Sequence, residues 1–490
     1  MPQSSVKRLL APMMASCLAA CGESAGSSAM RDGDGRSNQL AVSGPIDLGT
    51  LGGTSSFVSA VNARGQVIGN SATAGDSQSH AFLWQSDTGM IDLGTLGGTF
   101  SSASAINAAG QVVGRSRTAS NQLHAFLWQS DTGMIDLGTL GGTLSSAVAI
   151  NALGQVVGVS STATNFLGHA FLWQRETGMI DLGTLGGSPF SSAIAINALG
   201  QVLGGSSRAF LWQNATGMID LGTLGGFVSS PFAMNDLGQV VGTSDTPFFG
   251  PRHAFLWQSG TMIDLGVLGV GKQSSTARAI NASGQVVGVS DAASADQSQN
   301  ERHAFLWQSE TGLVDLGTLG GDFSQAVAIN TRGQIVGGSN TGDDENHAFL
   351  WQRGTGMTDL GTLGGALSFS NAFAINDHGQ IVGISSTAGG HIHAALWNTI
   401  RTPAEQLADL SDAVASLGAA GKLNRGQMNA LQAKLDAAGR QLDGAKKTAA
   451  NVLRAFTNQV QAFVRASILS SSDGQTLIDA AQALINQLST

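Results

Sequence analysis

Residues 90–129 read MIDLGTLGGTFSSASAINAAGQVVGRSRTASNQLHAFLWQ, and nearly every part of that stretch returns along the chain. Its tryptophan marks the copies, at Trp84, Trp128, Trp173, Trp212, Trp257, Trp307, Trp351 and Trp397. Most steps between them are 44 to 46 residues, with one of 39 and one of 50, a length that suits one four-stranded blade. Within a copy, four short apolar runs alternate with turn residues, so SAxAIN, GQVVG, HAFLW and MIDLG are expected as successive strands. The turn after the first has Asn first and Gly fourth in every copy, from Asn62 with Gly65 to Asn376 with Gly379. That pattern predicts a type I turn closed by a left-handed glycine.

Outward from the unit, the connections differ. The segment between the second and third strands runs from almost nothing at Ser207 to about a dozen residues from Asp291 to Arg302, while the turns at the other strand ends stay short. Alternate connections of a meander share a face, so one face is expected to be uniform and the other variable. The ends of the array are offset: a DLG strand stands alone at Ile46–Gly49, and the last HALW strand, His393–Trp397, has no DLG after it. If the first pairs with the last, no sheet edge stays open. The expected fold is therefore an all-β, eight-bladed β-propeller made of eight repeats of ~44 residues over residues 45–400, followed by a small α-helical bundle over 401–490. In that tail Leu407, Leu410, Val414 and Leu417, then Phe456, Val460, Phe463 and Val464, fall at helical spacing.

Composition agrees. Glycine numbers 67, tyrosine is absent, charged residues make up 12% of the chain and the net charge is -9, which leaves no basic surface for nucleic acid. Both cysteines lie in the first 21 residues, so no disulfide framework or cysteine metal cluster is expected in the folded part.

The N-terminus reads as an address. Lys7 and Arg8 precede a short apolar stretch ending in Leu18-Ala19-Ala20-Cys21-Gly22. This resembles the bacterial lipobox, which implies a signal peptide over 1–20 and Cys21 as the lipid-bearing first residue of the mature chain. Residues 21–44 then read as a flexible tether of about 25 Å. Gly22, where retention in the inner membrane would use Asp, implies the outer membrane or cell surface, with secretion the remaining alternative.

The units resemble the HAF-repeat family of bacterial extracellular proteins, after the His-Ala-Phe run at His80-Ala81-Phe82 and in most copies. The resemblance implies a surface location and a propeller-like fold, and it brings no reaction. Arg208 replaces the histidine in the fourth copy, and His393-Ala394-Ala395 lacks the phenylalanine in the eighth. In the tail, LQAKLDAAGRQLDG, LRAFTNQVQAF and LIDAAQALINQL resemble the FIMAH domain, implying an interaction module.

Residues recurring once per unit point to architecture. Asp92, Asp136 and Asp181 with His80, His124 and His169, and the tryptophans, are expected to fasten blades, as Asp, His and Trp do in WD40 propellers, with the tryptophan rings buried and their N–H groups satisfied. An active site needs one asymmetric constellation, and no hydrolase, metalloprotease or nucleotide motif occurs, so no catalytic residue and no cofactor are assigned. Asp343, Asp344 and Glu345 are weak Ca²⁺ candidates without dedicated loop spacing, and His391 with His393 is a weak transition-metal pair. The expected function is a non-catalytic surface lipoprotein that presents its variable face to a protein or glycan. The alternatives are an extracellular polysaccharide or peptide hydrolase or lyase, and a structural cell-surface component. The sequence leaves the oligomeric state open. Replacing Cys21 by Ser should abolish labelling by radioactive fatty acid and leave a soluble or uncleaved precursor; equal labelling of both chains would remove the anchor.

Overall fold

The structure is a computed structural model that describes residues 42–269, 273–292, 301–364, 368–399, 403–442 and 444–489. Cys21, the signal segment and most of the expected tether lie outside these residues. The chain is mostly β, with four helices at its C-terminal end, and its strands and helices form two compact units.

One repeat shows how the strand unit is built. After the short β1 (Ile46–Asp47) come β2 (Gly52–Val61), β3 (Val67–Thr73), β4 (Ser79–Gln85) and β5 (Gly89–Asp92). The last four pair antiparallel in order, with Val61 opposite Val67, Val67 opposite Trp84, and Trp84 opposite Met90. The turn from β2 to β3 has the expected chemistry. Gly65 sits at φ +76° and donates its N–H to the Asn62 carbonyl at 3.1 Å, while Asn62 Oδ1 accepts from the Arg64 and Gln66 amides. Gly69, the second glycine of GQVIG, is required by packing: a Cβ there would lie 1.9 Å from the Phe57 carbonyl oxygen.

Val67 and Ile68 are both fully buried although successive strand residues point to opposite faces. Each four-stranded group is therefore apolar on both faces, and its neighbours cover it. Ile68, Ala81 and Leu83 pack with Ala103, Ile106, Val112 and Phe126 of the next repeat. Polar bonds follow the same route: Ala81 N–H donates to Ser101 Oγ at 2.8 Å, and Ser101 Oγ–H donates to the Gly94 carbonyl at 2.6 Å. Asn62 Nδ2 donates to the Asn107 carbonyl at 3.1 Å.

The last repeat treats the first as its neighbour. Ile46 of β1 pairs with Leu396 and Asp47 with Ala395 of the strand Ile392–Asn398. Ala394 N–H donates to Ser56 Oγ at 2.9 Å and Asn376 Nδ2 to the Asn62 carbonyl at 2.9 Å. Leu48, Val58, Val67 and Phe82 share a core with Val382, Ala394 and Leu396.

Two expectations need correction. Val42 and Ser43, read as tether, belong to the strand unit: Val42 bridges Thr399, and Ser43 N–H donates to the Asn398 carbonyl at 3.0 Å. The tryptophans, expected as buried rings with satisfied N–H groups, are half-buried from Trp84 to Trp351. The fully buried aromatic ring of each of these repeats is the phenylalanine two residues earlier, such as Phe82 and Phe126. Trp128, opposite Met134 in the ladder and near the end of its strand, packs on the cluster of Ile68, Leu83 and Phe126 and stays partly exposed. Trp397 is the exception at 0% exposed, with Val42 packed on its cluster and Nε1 donating to the Leu360 carbonyl at 2.8 Å.

The helical unit comprises α1 (Pro403–Ala419), α2 (Arg425–Gly439), α3 (Lys446–Arg465) and α4 (Ser471–Ser489). The periodic apolar residues make its core, with Leu410, Val414, Leu431, Phe456, Val460 and Leu484 buried. Asn424 and Gln427 form a capping box at the start of α2.

Trp397→Ala should lower the unfolding free energy by about 3 to 5 kcal/mol, and Trp128→Ala by clearly less, as read by urea denaturation. Equal losses would mean that the cover supplied by Val42 adds nothing to the burial of Trp397.

Candidate functional site

Every repeat exposes two sets of side chains at opposite strand ends. At the ends that carry the variable loops, His80 Nδ1 lies 3.0 and 2.8 Å from the two carboxylate oxygens of Asp92, and Asp92 Oδ1 also accepts from the Gly94 amide at 2.7 Å. His124 with Asp136 and His169 with Asp181 repeat this geometry, and His393 with Asp47 carries it across the chain ends. The departure at Arg208 preserves the link, because its guanidinium Nη1 donates to Asp220 at 3.0 Å. These pairs tie the third strand of a repeat to the fourth.

In the His303–Asp315 pair each partner favours the charged form of the other. The hydrogen bond to Asp315 raises the His303 pKa, against the effect of burial and with the charges of Asp315 and Glu301 adding to it. For Asp315, burial acts upward, but the hydrogen bonds from His303 and the Gly317 amide, with the imidazolium charge, leave the carboxyl below its usual range.

At the other strand ends, clefts open between neighbouring repeats. The larger, about 480 Å³, is lined by Gln239 and Gln258 from one repeat and by Gln285, Trp307, Gln308 and Glu310 from the next. A second, about 220 Å³, has Gln111, Gln155, Trp173, Gln174 and Glu176 at corresponding positions. It is narrower because Leu153 and Arg175 stand where the larger cleft has Ser283 and Ser309. The exposed edge of the tryptophan thus forms a cleft wall.

The amides are ordered from below. Asn281 Nδ2 donates to Gln285 Oε1 at 2.7 Å, and Gln285 Nε2 donates to Gln308 Oε1 at 3.0 Å. The same relay runs from Asn107 through Gln111 to Gln129, at 2.7 and 2.6 Å. A buried asparagine therefore fixes which way each glutamine amide faces, and both a donor and an acceptor are presented at the surface. Glu310 lies at the rim, where the Ser309 hydroxyl holds its carboxyl below the usual range.

The remaining sequence candidates do not converge. Asp343 is exposed, Asp344 accepts from Asn340 Nδ2 at 3.1 Å, and Glu345 lies 3.7 Å from His347 Nε2. His393 is committed to Asp47, while His391 makes backbone bonds to Thr387. Among the described residues no group of three or more His, Cys, Asp or Glu is placed to hold a metal ion. The glutamines were missed in the sequence, although both recur with the repeat, because an uncharged amide carries no chemical signature until a partner fixes its orientation.

With this geometry established, the FIMAH domain family matches residues 407–486, within the four-helix unit. No curated protein matches the chain. Among solved structures, the chain is similar to the beta-propeller domain of the Trilobed protease from Pyrococcus furiosus at 8% identity and a TM-score of 0.40, covering 70% of this chain and 95% of that one. It is similar to a puromycin hydrolase mutant complexed with PGG at 13% identity and a TM-score of 0.41, covering 71% and 60%. For the Pyrococcus horikoshii acylaminoacyl peptidase the figures are 11% identity, a TM-score of 0.37, and 72% and 54% coverage. At these levels no activity transfers to this chain.

The histidine–aspartate pair gives a signed test. A raised His303 pKa stabilises fully below the unfolded value of about 6.5 and is lost as pH rises through the folded value. A lowered Asp315 pKa stabilises above about 3.9 and is lost as pH falls through its folded value. The contribution is greatest between these limits and small, since Asp315 is nearly half exposed and screened by solvent. In urea unfolding, the stability gap between the protein and His303→Gln should narrow from about pH 6 to pH 8. A constant or widening gap would contradict the pairing.

Proposed function

We propose that the strand unit closes as an eight-bladed β-propeller and acts as a non-catalytic, multivalent binding protein that takes glycans into the clefts between its blades. Support for closure comes from the bonds of Ser56, Asn62 and β1 to the last repeat, which duplicate those between consecutive repeats. The binding reading rests on the cleft lining: a tryptophan edge, paired glutamine amides and a rim carboxylate. A sugar offers C–H faces to an aromatic ring and hydroxyls that both donate and accept, as the amides do. The expected ligand face was the variable one; the two clefts lie at the opposite strand ends.

The lining also weighs against hydrolysis. Glycoside cleavage takes two carboxyl groups about 5 to 9.5 Å apart, and each cleft has a single one, Glu310 or Glu176. Repetition of weak sites raises avidity without tighter contacts. In the same proposal the repeats are of the HAF type, and lipid on Cys21 holds the protein at the bacterial surface, where extracellular glycans are within reach.

The test is a glycan array probed with the mature protein, followed by calorimetry on a captured oligosaccharide. More than one oligosaccharide per chain is expected, and Gln308→Ala with Glu310→Ala should remove about one site's share of the heat while the thermal midpoint stays unchanged. A protein that binds no glycan, or binds one per chain with full heat retained in the variant, would overturn the proposal.

A further inference from the structure

Six large apolar side chains break the symmetry of the repeats at the variable-loop ends. Phe166 and Leu167, Phe190, Phe227, and Phe248 with Phe249 are all exposed, and they come from three consecutive repeats. Two groups form. Asn165 Nδ2 donates to the Pro189 carbonyl, joining the loop of Phe166 and Leu167 to that of Phe190. Phe227 and Phe249 stand with ring centroids 5.3 Å apart. Between the groups the fourth repeat has its shortest loop, Ser206–Arg208.

The Phe248–Phe249 tip is built to project. Its turn is closed by Gly250 N–H donating to the Pro247 carbonyl at 3.0 Å and by Thr246 Oγ1 donating to the Pro251 carbonyl at 2.9 Å. Both phenylalanines are left-handed, at φ 58° and 57°, where glycine or asparagine is the ordinary choice. They are 98% and 87% exposed. A stiff loop thus spends an unfavourable backbone conformation on holding two bare rings in water.

We propose that these tips dock on a lipid surface by inserting into it. Loops at the same ends of three neighbouring repeats can meet one plane, and the short loop between the two groups keeps them apart, so a protein partner would need a separate hollow for each. None of the six side chains has a polar atom, which suits hydrocarbon more than a wet protein interface. Of the charges nearby, Arg252 pairs with Asp245 at 2.9 Å and Arg208 with Asp220 at 3.0 Å, while Asp181 and Asp264 are held by His169 and His253. The chain outside the described residues also favours a bilayer: Cys21 to Val42 has a covalent reach of up to roughly 70 Å, enough to pass the strand unit from the opposite strand ends. That last support rests on the anchor reading; the tips do not.

The experiment uses the mature chain, produced from residue 21 with Cys21→Ser, so that neither an acyl chain nor the apolar signal segment contributes, and vesicles of zwitterionic phosphatidylcholine. The protein should cosediment with the vesicles, with little change when salt is raised. Phe248→Ser with Phe249→Ser should lower the partition coefficient on the order of 100-fold, with the thermal midpoint and glycan binding unchanged. Phe166→Ser with Leu167→Ser should give a smaller fall and serves as the second variant should the first misfold. Absence of binding to the vesicles, equal binding by both variants, or a concentration-dependent self-association that the substitutions abolish would overturn the proposal. Loss of glycan binding alone would count against the cleft reading and not this one.

Discussion

Each four-stranded group has two apolar faces and can cover neither by itself. The alternation that puts Val67 on one side and Ile68 on the other, both fully buried, makes a lone repeat an unstable object. Its neighbours must supply the missing half of each core, as Phe126 does for Ile68 and Leu83. The serine and asparagine bonds between repeats then fix the spacing of groups that hydrophobic contact alone would leave free to slide. The same requirement at the two chain ends is met by bringing Val382, Ala394 and Leu396 against Val58 and Phe82.

This mode of stacking divides the molecule by strand end. At one end the asparagine turn and the tryptophan–glutamine pair recur, because they carry the contacts between repeats; the proposed binding there would be a by-product of repeated architecture. The clefts inherit their ordered amides from the asparagines beneath them. At the other end the loops carry few of those contacts and are free to vary. Asymmetry accumulates there, in the aromatic tips of the third to fifth repeats, above a row of histidine–aspartate pairs that holds the strands in register.

Much of this was legible in the sequence, and the reasons are local. The repeat length, strand order and asparagine–glycine turn follow from periodicity and from the steric demands of a left-handed residue, both properties of a few adjacent residues. The four helices follow from the spacing of Leu410, Val414, Phe456 and Val460 in the same way. The offset between the lone DLG and the last HALW likewise pointed to the pairing of β1 with Ile392–Asn398. What failed was the environment of single side chains. Trp128 and Trp397 hold the same place in the repeat, yet one stays partly exposed and the other is sealed: Ala395 replaces the phenylalanine that fills the core in other copies, Trp397 joins that core, and Val42 packs on the cluster.

The sequence by itself therefore determined the unit, its number and the order of its strands, since each depends on backbone geometry and on a pattern that repeats within a few residues. Tertiary structure alone decided where function is available. A glutamine is available for the proposed recognition when a buried asparagine from its own turn orients it and a tryptophan of the same repeat meets amides of the preceding one across a cleft. A phenylalanine becomes an exposed tip when its turn is left-handed and no neighbour covers it. Each condition joins a local turn to the burial or exposure that neighbouring repeats impose, and periodicity within a repeat does not report that surrounding.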